Sequence, residues 1–92
     1  MLPKNRPPTL PGEILLEDFL RPAGMTQTSL AEKLDVFPTV VSGIITGKRA
    51  ISPEMAIKLS RVLKTSAQFW MNLQTNVDLW NAERRMARAA GG

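Results

Sequence analysis

The 92-residue sequence contains no cysteine, no histidine and no tyrosine. Without cysteine, disulfide bridges and thiolate zinc sites are excluded, and without histidine there is no imidazole for acid–base chemistry. An enzyme would have to use carboxylates, lysines and hydroxyls, but the acidic residues form no clustered pair, and the adjacent Glu17 and Asp18 diverge around a helix. We therefore expect neither an enzyme nor a bound metal or cofactor.

Long apolar runs are also absent. No stretch approaches the roughly 20 residues that cross a membrane. The N-terminal sequence LPKNRPPTLPG contains four prolines and lacks the apolar region of a secretory signal. We therefore expect a cytoplasmic protein. Residues 1–10 are Pro-rich and basic and predict a mobile arm, with an alternative role as a minor-groove arm using Lys4 and Arg6, by analogy with homeodomains.

The stretch that organises the chain is 27–47, QTSLAEKLDVFPTVVSGIITG, which contains two short helical patterns separated by a three-residue break. Thr26 is expected to cap the first helix, Asp35 to leave it in the left-handed conformation, and Pro38 to begin the second helix. Leu30, Ala31 and Leu34 fall on one face of the first pattern, and Val41 and Ile44 fall on one face of the second. Ala31 is small enough to let the two helices cross closely, and Val36, Val41 and Ile44 are predicted to fill the crossing. Such a helix-turn-helix presents its second helix to a DNA major groove, whereas the alternative is an ordinary helix pair of a small bundle.

The distribution of charge favours the DNA-binding alternative. The formal net charge is +4, and residues 26–65 carry six basic and three acidic groups. No acidic residue occurs between Asp35 and Glu54, and Lys48 and Arg49 directly follow the second helix. The outward positions of that helix are small or hydroxylated, which suits a surface that faces phosphates.

The sequence order Q..LAEKL.V....VS.I..GKR..SPEMA.KLS..L resembles the Cro/C1-type (XRE) helix-turn-helix family. The flanking segments PGEILLEDFLRPAGMTQ and TSAQFWMNLQTNVDLW are similar to the HigA branch, which comprises antitoxins of bacterial toxin–antitoxin operons. The resemblance covers about residues 11–80. The chain departs from the usual pattern at Asp35, where relatives carry Gly, and at Phe37, where they carry Ser or Thr.

This resemblance implies a lambda repressor-like fold, repression of the protein's own operon, and neutralisation of a HigB-like mRNA endonuclease toxin. Together with the charge pattern, it predicts that Gln27, Lys48 and Arg49 hold phosphates of an operator duplex. Small residues of the second helix are predicted to lie close to base edges. The full predicted DNA-binding set is Gln27, Pro38, Thr39, Val40, Ser42, Gly43, Thr46, Lys48 and Arg49.

Helix start and stop signals predict an all-α chain of five helices: 11–21, 27–34, one from Pro38, one from Pro53 to about Leu63, and a last helix capped by Ser66. A strand-containing fold would need alternating apolar residues, which the chain does not show. We predict that residues 11–65 form the DNA-binding domain and that residues 66–92 form a C-terminal helix with a frayed tail.

The last helix carries more large apolar residues than one core-facing stripe requires. Because one recognition helix contacts only a few base pairs, we expect a homodimer, with an interface formed by Trp70, Leu73, Val77 and Trp80. The alternative is that both tryptophans cover the core of the monomer. At the level of function, the alternatives to an antitoxin are a stand-alone repressor without a toxin partner and a DNA-free protein-interaction module.

Overall fold

The computed structural model describes residues 6–90, which form five helices and no strand. The helices are α1 (residues 11–23), α2 (Gln27–Leu34), α3 (Pro38–Ile45), α4 (Pro53–Leu63) and α5 (Ala67–Ala90). The predicted all-α, five-helix fold is confirmed. Lys4 of the predicted arm and the last two residues of the predicted tail lie outside the described residues. No helix within 6–90 has both the length and the apolar character to cross a membrane.

The predicted connection between α2 and α3 is confirmed in detail. The backbone N–H of Ser29 donates to the hydroxyl oxygen of Thr26 at 3.0 Å, which caps α2. Asp35 ends α2 in the left-handed conformation, with φ 57° and ψ 50°. Pro38 is the first residue of α3, where its missing N–H costs no helical hydrogen bond. These local features end α2 and begin α3, and so define the turn between the two helices.

Helix α1 is longer than predicted and is not α-helical throughout. Its segment Leu15–Leu20 is π-helical, and the N–H of Arg21 donates to the carbonyl of Leu16, five residues back. Pro22 cannot donate a backbone hydrogen bond, and its ring would crowd the carbonyl four residues back in a regular α-helix, so the wider winding accommodates it. The helix ends at Ala23, two residues beyond the predicted Arg21, and Gly24 follows it with φ 63°.

The core lies where α1, α2, α3 and α4 meet beneath the first part of α5. Its buried apolar residues are Leu15, Leu20, Leu30, Ala31, Leu34, Val41, Ile44, Ile51, Met55, Ala56, Leu59 and Trp70. The three residues predicted to fill the helix crossing pack there: Val41 and Ile44 are buried, and Val36 is partly buried. Helix α1 packs against α3 and α4 packs against α2, while α5 packs against α4 and α1.

The tightest contact in this core joins α1 to α3 through Gly12, which is buried. A Cβ atom at this position would lie 2.6 Å from the Cα atom of Ile45 and would also overlap the carbonyl group of Ile44. Only a residue without a side chain allows the start of α1 to lie against the last turn of α3. The glycine of the GEIL segment therefore sets the position of α3 relative to the body of the domain.

Trp70 corrects the predicted dimer interface. Its side chain is 0% exposed, and its indole N–H donates to the hydroxyl of Thr65 at 2.7 Å. Phe19 of α1 and Phe69 of α5 flank the ring, with centroid distances of 5.3 and 5.0 Å. A side chain enclosed in this way offers no surface to a second copy, so assigning Trp70 to the interface was wrong. The ring instead fastens α5 to α1.

Leu10 was predicted as the last residue of the arm, but it lies against the fold. Its carbonyl accepts the N–H of Glu13 at 3.0 Å and so begins α1. Its side chain covers the turn at Gly47, where an added Cβ would lie 3.2 Å from Leu10 Cδ1. Mobility of the preceding residues stays a prediction.

A candidate nucleic-acid interface

The outer face of α3 presents hydroxyl groups and no acidic side chain. Thr39, Ser42 and Thr46 are exposed, and their spacing of three and four residues places them on one side of the helix. The hydroxyl of Thr46 donates to the carbonyl of Ser42 at 2.9 Å, which fixes its rotamer at the end of the helix. Hydroxyl groups both donate and accept hydrogen bonds, so this face can contact the edges of several bases.

Two of the predicted DNA-binding residues of α3, Val40 and Gly43, are less accessible from outside than the others. Val40 is half-buried and packs against the core, so only part of its side chain faces outward. Gly43 is covered by Arg49: a Cβ at Gly43 would lie 3.1 Å from Arg49 Cβ, and the N–H of Arg49 donates to the Gly43 carbonyl at 3.0 Å. The absent side chain at Gly43 thus makes room for Arg49 to lie along the recognition helix.

The basic residues Lys48 and Arg49 lie on the loop that follows α3. Gly47 turns the chain there with φ 80°, and its N–H donates to the Ile44 carbonyl at 3.1 Å. Both basic side chains are exposed. Within residues 6–90 the one ion pair shorter than 4.0 Å joins Arg21 to Glu17, so no carboxylate of that range neutralises either group. The loop therefore carries two cations available to phosphates.

The remaining predicted contacts lie at the starts of the two helices. Gln27 is the first residue of α2 and is half-buried, and Pro38 is the exposed first residue of α3. The partial positive charge at a helix start favours a nearby phosphate oxygen.

Two further residues lie next to the predicted contact residues but have no predicted role. Phe37, directly before α3, is 79% exposed and provides no side-chain cap to the helix. Gln74 is 7% exposed and bonded to the loop that carries the basic residues. The signal for Gln74 was its spacing: it follows Trp70 by four residues and so continues the buried side of α5.

The outer half of α5 is the part of the predicted interface that stays accessible. Leu73, Val77 and Trp80 are half-buried in the monomer. The guanidinium carbon of Arg84 lies 5.5 Å from the centroid of the Trp80 ring. Two large apolar residues outside the predicted interface, Leu79 and Met86, are also exposed on this helix.

The comparison with known protein families agrees with this geometry. The helix-turn-helix model HTH_3 matches residues 16–70, more than half of the chain. The chain belongs to the HTH_3 helix-turn-helix family. This membership and the relatives described below confirm the predicted Cro/C1-type resemblance and its HigA branch. HTH_3 domains are non-enzymatic DNA-binding domains, in agreement with the prediction that the chain is not an enzyme.

Relatives of this HTH_3 chain include regulators and antitoxins. An uncharacterised helix-turn-helix transcriptional regulator of Haemophilus influenzae is 46% identical over 79 residues, which cover 86% of this chain and 74% of the relative. Antitoxin HigA-1 of Vibrio cholerae is 40% identical over 87 residues, covering 95% and 81% of the two chains. The solved structure of Pseudomonas aeruginosa antitoxin HigA with the higBA promoter is 41% identical, covers 92% and 91%, and superposes with a TM-score of 0.86.

Proposed function

We propose that this protein is a sequence-specific DNA-binding antitoxin that represses its own operon and neutralises a HigB-like mRNA endonuclease toxin. The observation that carries the proposal is the exposed, acid-free face of α3, followed by Lys48 and Arg49, in a chain 41% identical to an antitoxin solved with its promoter. An operator-bound repressor acts in the cytoplasm, and we assign this protein to that compartment.

In this mechanism α3 enters the major groove, and its exposed hydroxyl groups at Thr39, Ser42 and Thr46 face the base edges. Lys48 and Arg49, together with Gln27 at the start of α2, bind phosphates on the flanking backbone. The phosphate contacts fix the register of the protein on the duplex, and the α3 contacts select the sequence.

The protein acts as a homodimer in this proposal, because two recognition helices about 34 Å apart read two half-sites and so multiply the specificity of one. The outer half of α5 supplies the interface through Leu73, Val77 and Trp80. Leu79 and Met86 are also exposed on α5, but helical spacing places them on a different side from these three residues. Aromatic and methionine side chains are enriched at such interfaces.

A stand-alone repressor without a toxin is the second candidate, supported by the 46% identity to a relative named as an uncharacterised helix-turn-helix transcriptional regulator. It would have the same α3 face and the same operator contacts. A DNA-free interaction module is a weaker candidate, because it gives no reason for an acid-free α3 face beside two unpaired cations.

Operator binding is tested by the salt dependence of the affinity for the upstream promoter fragment. The Arg49→Ala substitution should weaken binding to all sequences. It should also make the negative slope of log K against log salt shallower by about 0.9, the value for one phosphate contact. Arg21→Ala is the matched control, because Arg21 is exposed and paired with Glu17 at 3.2 Å. An unchanged slope for Arg49→Ala would remove Arg49 from the phosphate contacts.

Toxin neutralisation is tested separately, by co-expression with the small open reading frame beside this gene. If that frame encodes a toxin, growth arrested by the toxin alone should be restored by this protein and also by Arg49→Ala, which keeps the fold and loses a DNA contact. Continued arrest, with both proteins present in soluble form, would reject neutralisation and leave the stand-alone repressor.

A further inference from the structure

Gln74 is the one buried polar side chain within residues 6–90, and both ends of its amide are bonded. Its Oε1 atom accepts the backbone N–H of Ile51 at 2.9 Å. Its Nε2 atom donates to Oδ1 of Asp78 at 2.9 Å. Ile51 is only 2% exposed, so the bond to its N–H is shielded from water, where a lost partner is costly. The contact joins α5 to a residue 23 positions earlier in the chain.

The residue tied by Gln74 ends the loop that carries the basic side chains. At its near end the loop is bonded to α3, by the N–H of Gly47 to the Ile44 carbonyl and by the N–H of Arg49 to the Gly43 carbonyl. At its far end the N–H of Ile51 is bonded to Gln74. Lys48 and Arg49 therefore lie on a loop that is hydrogen-bonded to the recognition helix at one end and to α5 at the other.

An opening beside the loop makes the hydrogen bond between Ile51 and Gln74 important for holding the loop in place. An opening of about 230 Å³ separates the loop from α5 and is lined by Lys48, Arg49, Ala50, Val77, Asp78 and Asn81, among other residues. Beside this opening the loop has two apolar supports, the Leu10 side chain against Gly47 and the buried side chain of Ile51. The hydrogen bond from the Ile51 N–H to Gln74 adds a directional link between the loop backbone and α5.

Asp78 determines which way the Gln74 amide points. A carboxylate accepts but does not donate, so it bonds the NH₂ end of the amide and leaves the carbonyl oxygen for the N–H of Ile51. A reversed amide would place NH₂ against the N–H of Ile51 and the carbonyl oxygen against the carboxylate. Both contacts would then be repulsive.

From these contacts we propose that Gln74, oriented by Asp78, is a positioning residue for the phosphate contacts of Lys48 and Arg49. It fixes the loop after the recognition helix to α5, so that the two cations face the DNA backbone in one arrangement. The proposal rests on the DNA-binding function proposed above. It gives α5 a part in operator affinity that is separate from its part in the dimer.

The test compares Gln74→Leu with wild type in the full-length protein. The similar-sized leucine leaves the N–H of Ile51 without its partner. We expect the negative slope of log K against log salt to become shallower by about 0.9 for each phosphate contact that loses its fixed geometry. Operator affinity near 0.1 M salt should fall about eightfold per contact. Hydrogen exchange of the Ile51 amide should become faster. Gln68→Leu is the matched control, because Gln68 is an exposed glutamine of α5 bonded only to Asn72.

A rescue variant distinguishes a positioning role of Gln74 from a general effect on folding stability. In the double variant Gln74→Glu with Asp78→Asn, the carboxylate still accepts the N–H of Ile51, and the asparagine amide donates to the carboxylate. The net charge is unchanged and the polarity of the pair is reversed. We expect this variant to recover the wild-type salt slope, whereas Asp78→Ala alone should make the slope shallower, as Gln74→Leu does.

Three outcomes would overturn the inference. The first is a Gln74→Leu protein with a lower thermal midpoint but a wild-type salt slope at temperatures where it is folded. The second is a double variant that regains Ile51 protection without regaining the slope. The third concerns the case in which Gln74→Leu does not fold. The inference then fails if the folded Asp78→Ala protein binds the operator with the wild-type salt slope. If wild type itself shows no salt-dependent operator binding, the proposed function fails instead, and the two failures are thereby distinguished.

Discussion

Replacing Gly12→Ala is the sharpest test of how α1 positions the recognition helix. On local grounds the change should stabilise the protein, because alanine is favoured over glycine in a helix by about 1 kcal/mol. The packing predicts the opposite. The new methyl would lie 2.6 Å from Ile45 Cα and against the Ile44 carbonyl, which are backbone atoms of α3 that cannot rotate away.

The magnitude follows from the displacement that the methyl requires. Ordinary contact between carbon atoms is about 3.5–4.0 Å, so the start of α1 or the end of α3 must move by roughly 1 Å. Overpacking of this kind costs about 1–3 kcal/mol, and the upper half of that range applies because the neighbours are backbone. After the gain in helix propensity, we expect the free energy of unfolding to fall by about 1–2 kcal/mol, which corresponds to roughly 4–16 °C in Tm.

The assay is urea denaturation followed by far-ultraviolet circular dichroism, at one fixed protein concentration because dimerisation would add to the apparent stability. Glu13→Ala, at the adjacent exposed position of the same turn, is the control, and it should change stability by less than about 0.5 kcal/mol. A Gly12→Ala protein as stable as wild type, or more stable, would refute the close approach of α1 and α3.

Three further predictions concern single positions. Lys64 ends α4 at φ 58°, a left-handed conformation that costs a residue with a side chain about 1–2 kcal/mol. Lys64→Gly should therefore raise the free energy of unfolding by about 0.5–1 kcal/mol in urea titrations, and a loss of stability would contradict this account. Phe37→Ser should stabilise the protein by about 0.5–1 kcal/mol, because serine can cap α3 and the 79%-exposed phenylalanine buries little surface. An unchanged thermal midpoint would mean that the serine hydroxyl accepts no hydrogen bond from a backbone N–H of α3. Trp80→Ala should raise the Kd of the homodimer by about 30-fold or more in sedimentation equilibrium, as expected for a central interface tryptophan, and an unchanged Kd would place the interface elsewhere.

The features predicted best from the sequence are those set by neighbouring residues. The caps at Thr26 and Ser66, the left-handed Asp35 and the position of Pro38 each depend on chemistry within a few residues, and each is present in the structure. Local spacing also placed the hydroxyl-bearing face of α3 correctly outward.

The features that were missed depend on contacts between distant parts of the chain. Periodicity assigns Trp70 to a face of α5 but does not show whether that face meets α1 or a second copy, and the enclosure by Phe19 and Phe69 decides this only in three dimensions. The bond from Gln74 to Ile51 spans 23 positions and has no local signature beyond a polar residue on an apolar stripe. The partner of Gly12, on the last turn of α3, was likewise not visible in the GEIL segment alone.

The two tryptophans, one enclosed and one at the candidate interface, have a spectroscopic consequence. Because the chain contains no tyrosine, its intrinsic fluorescence comes essentially from Trp70 and Trp80. Trp70 is 0% exposed, so its emission changes when the core opens. Trp80 is half-buried beside Arg84, so its emission changes when its surface is covered by another chain. Dilution and denaturant should therefore produce two distinct spectral changes, and a Trp80→Phe protein should retain only the one that reports unfolding.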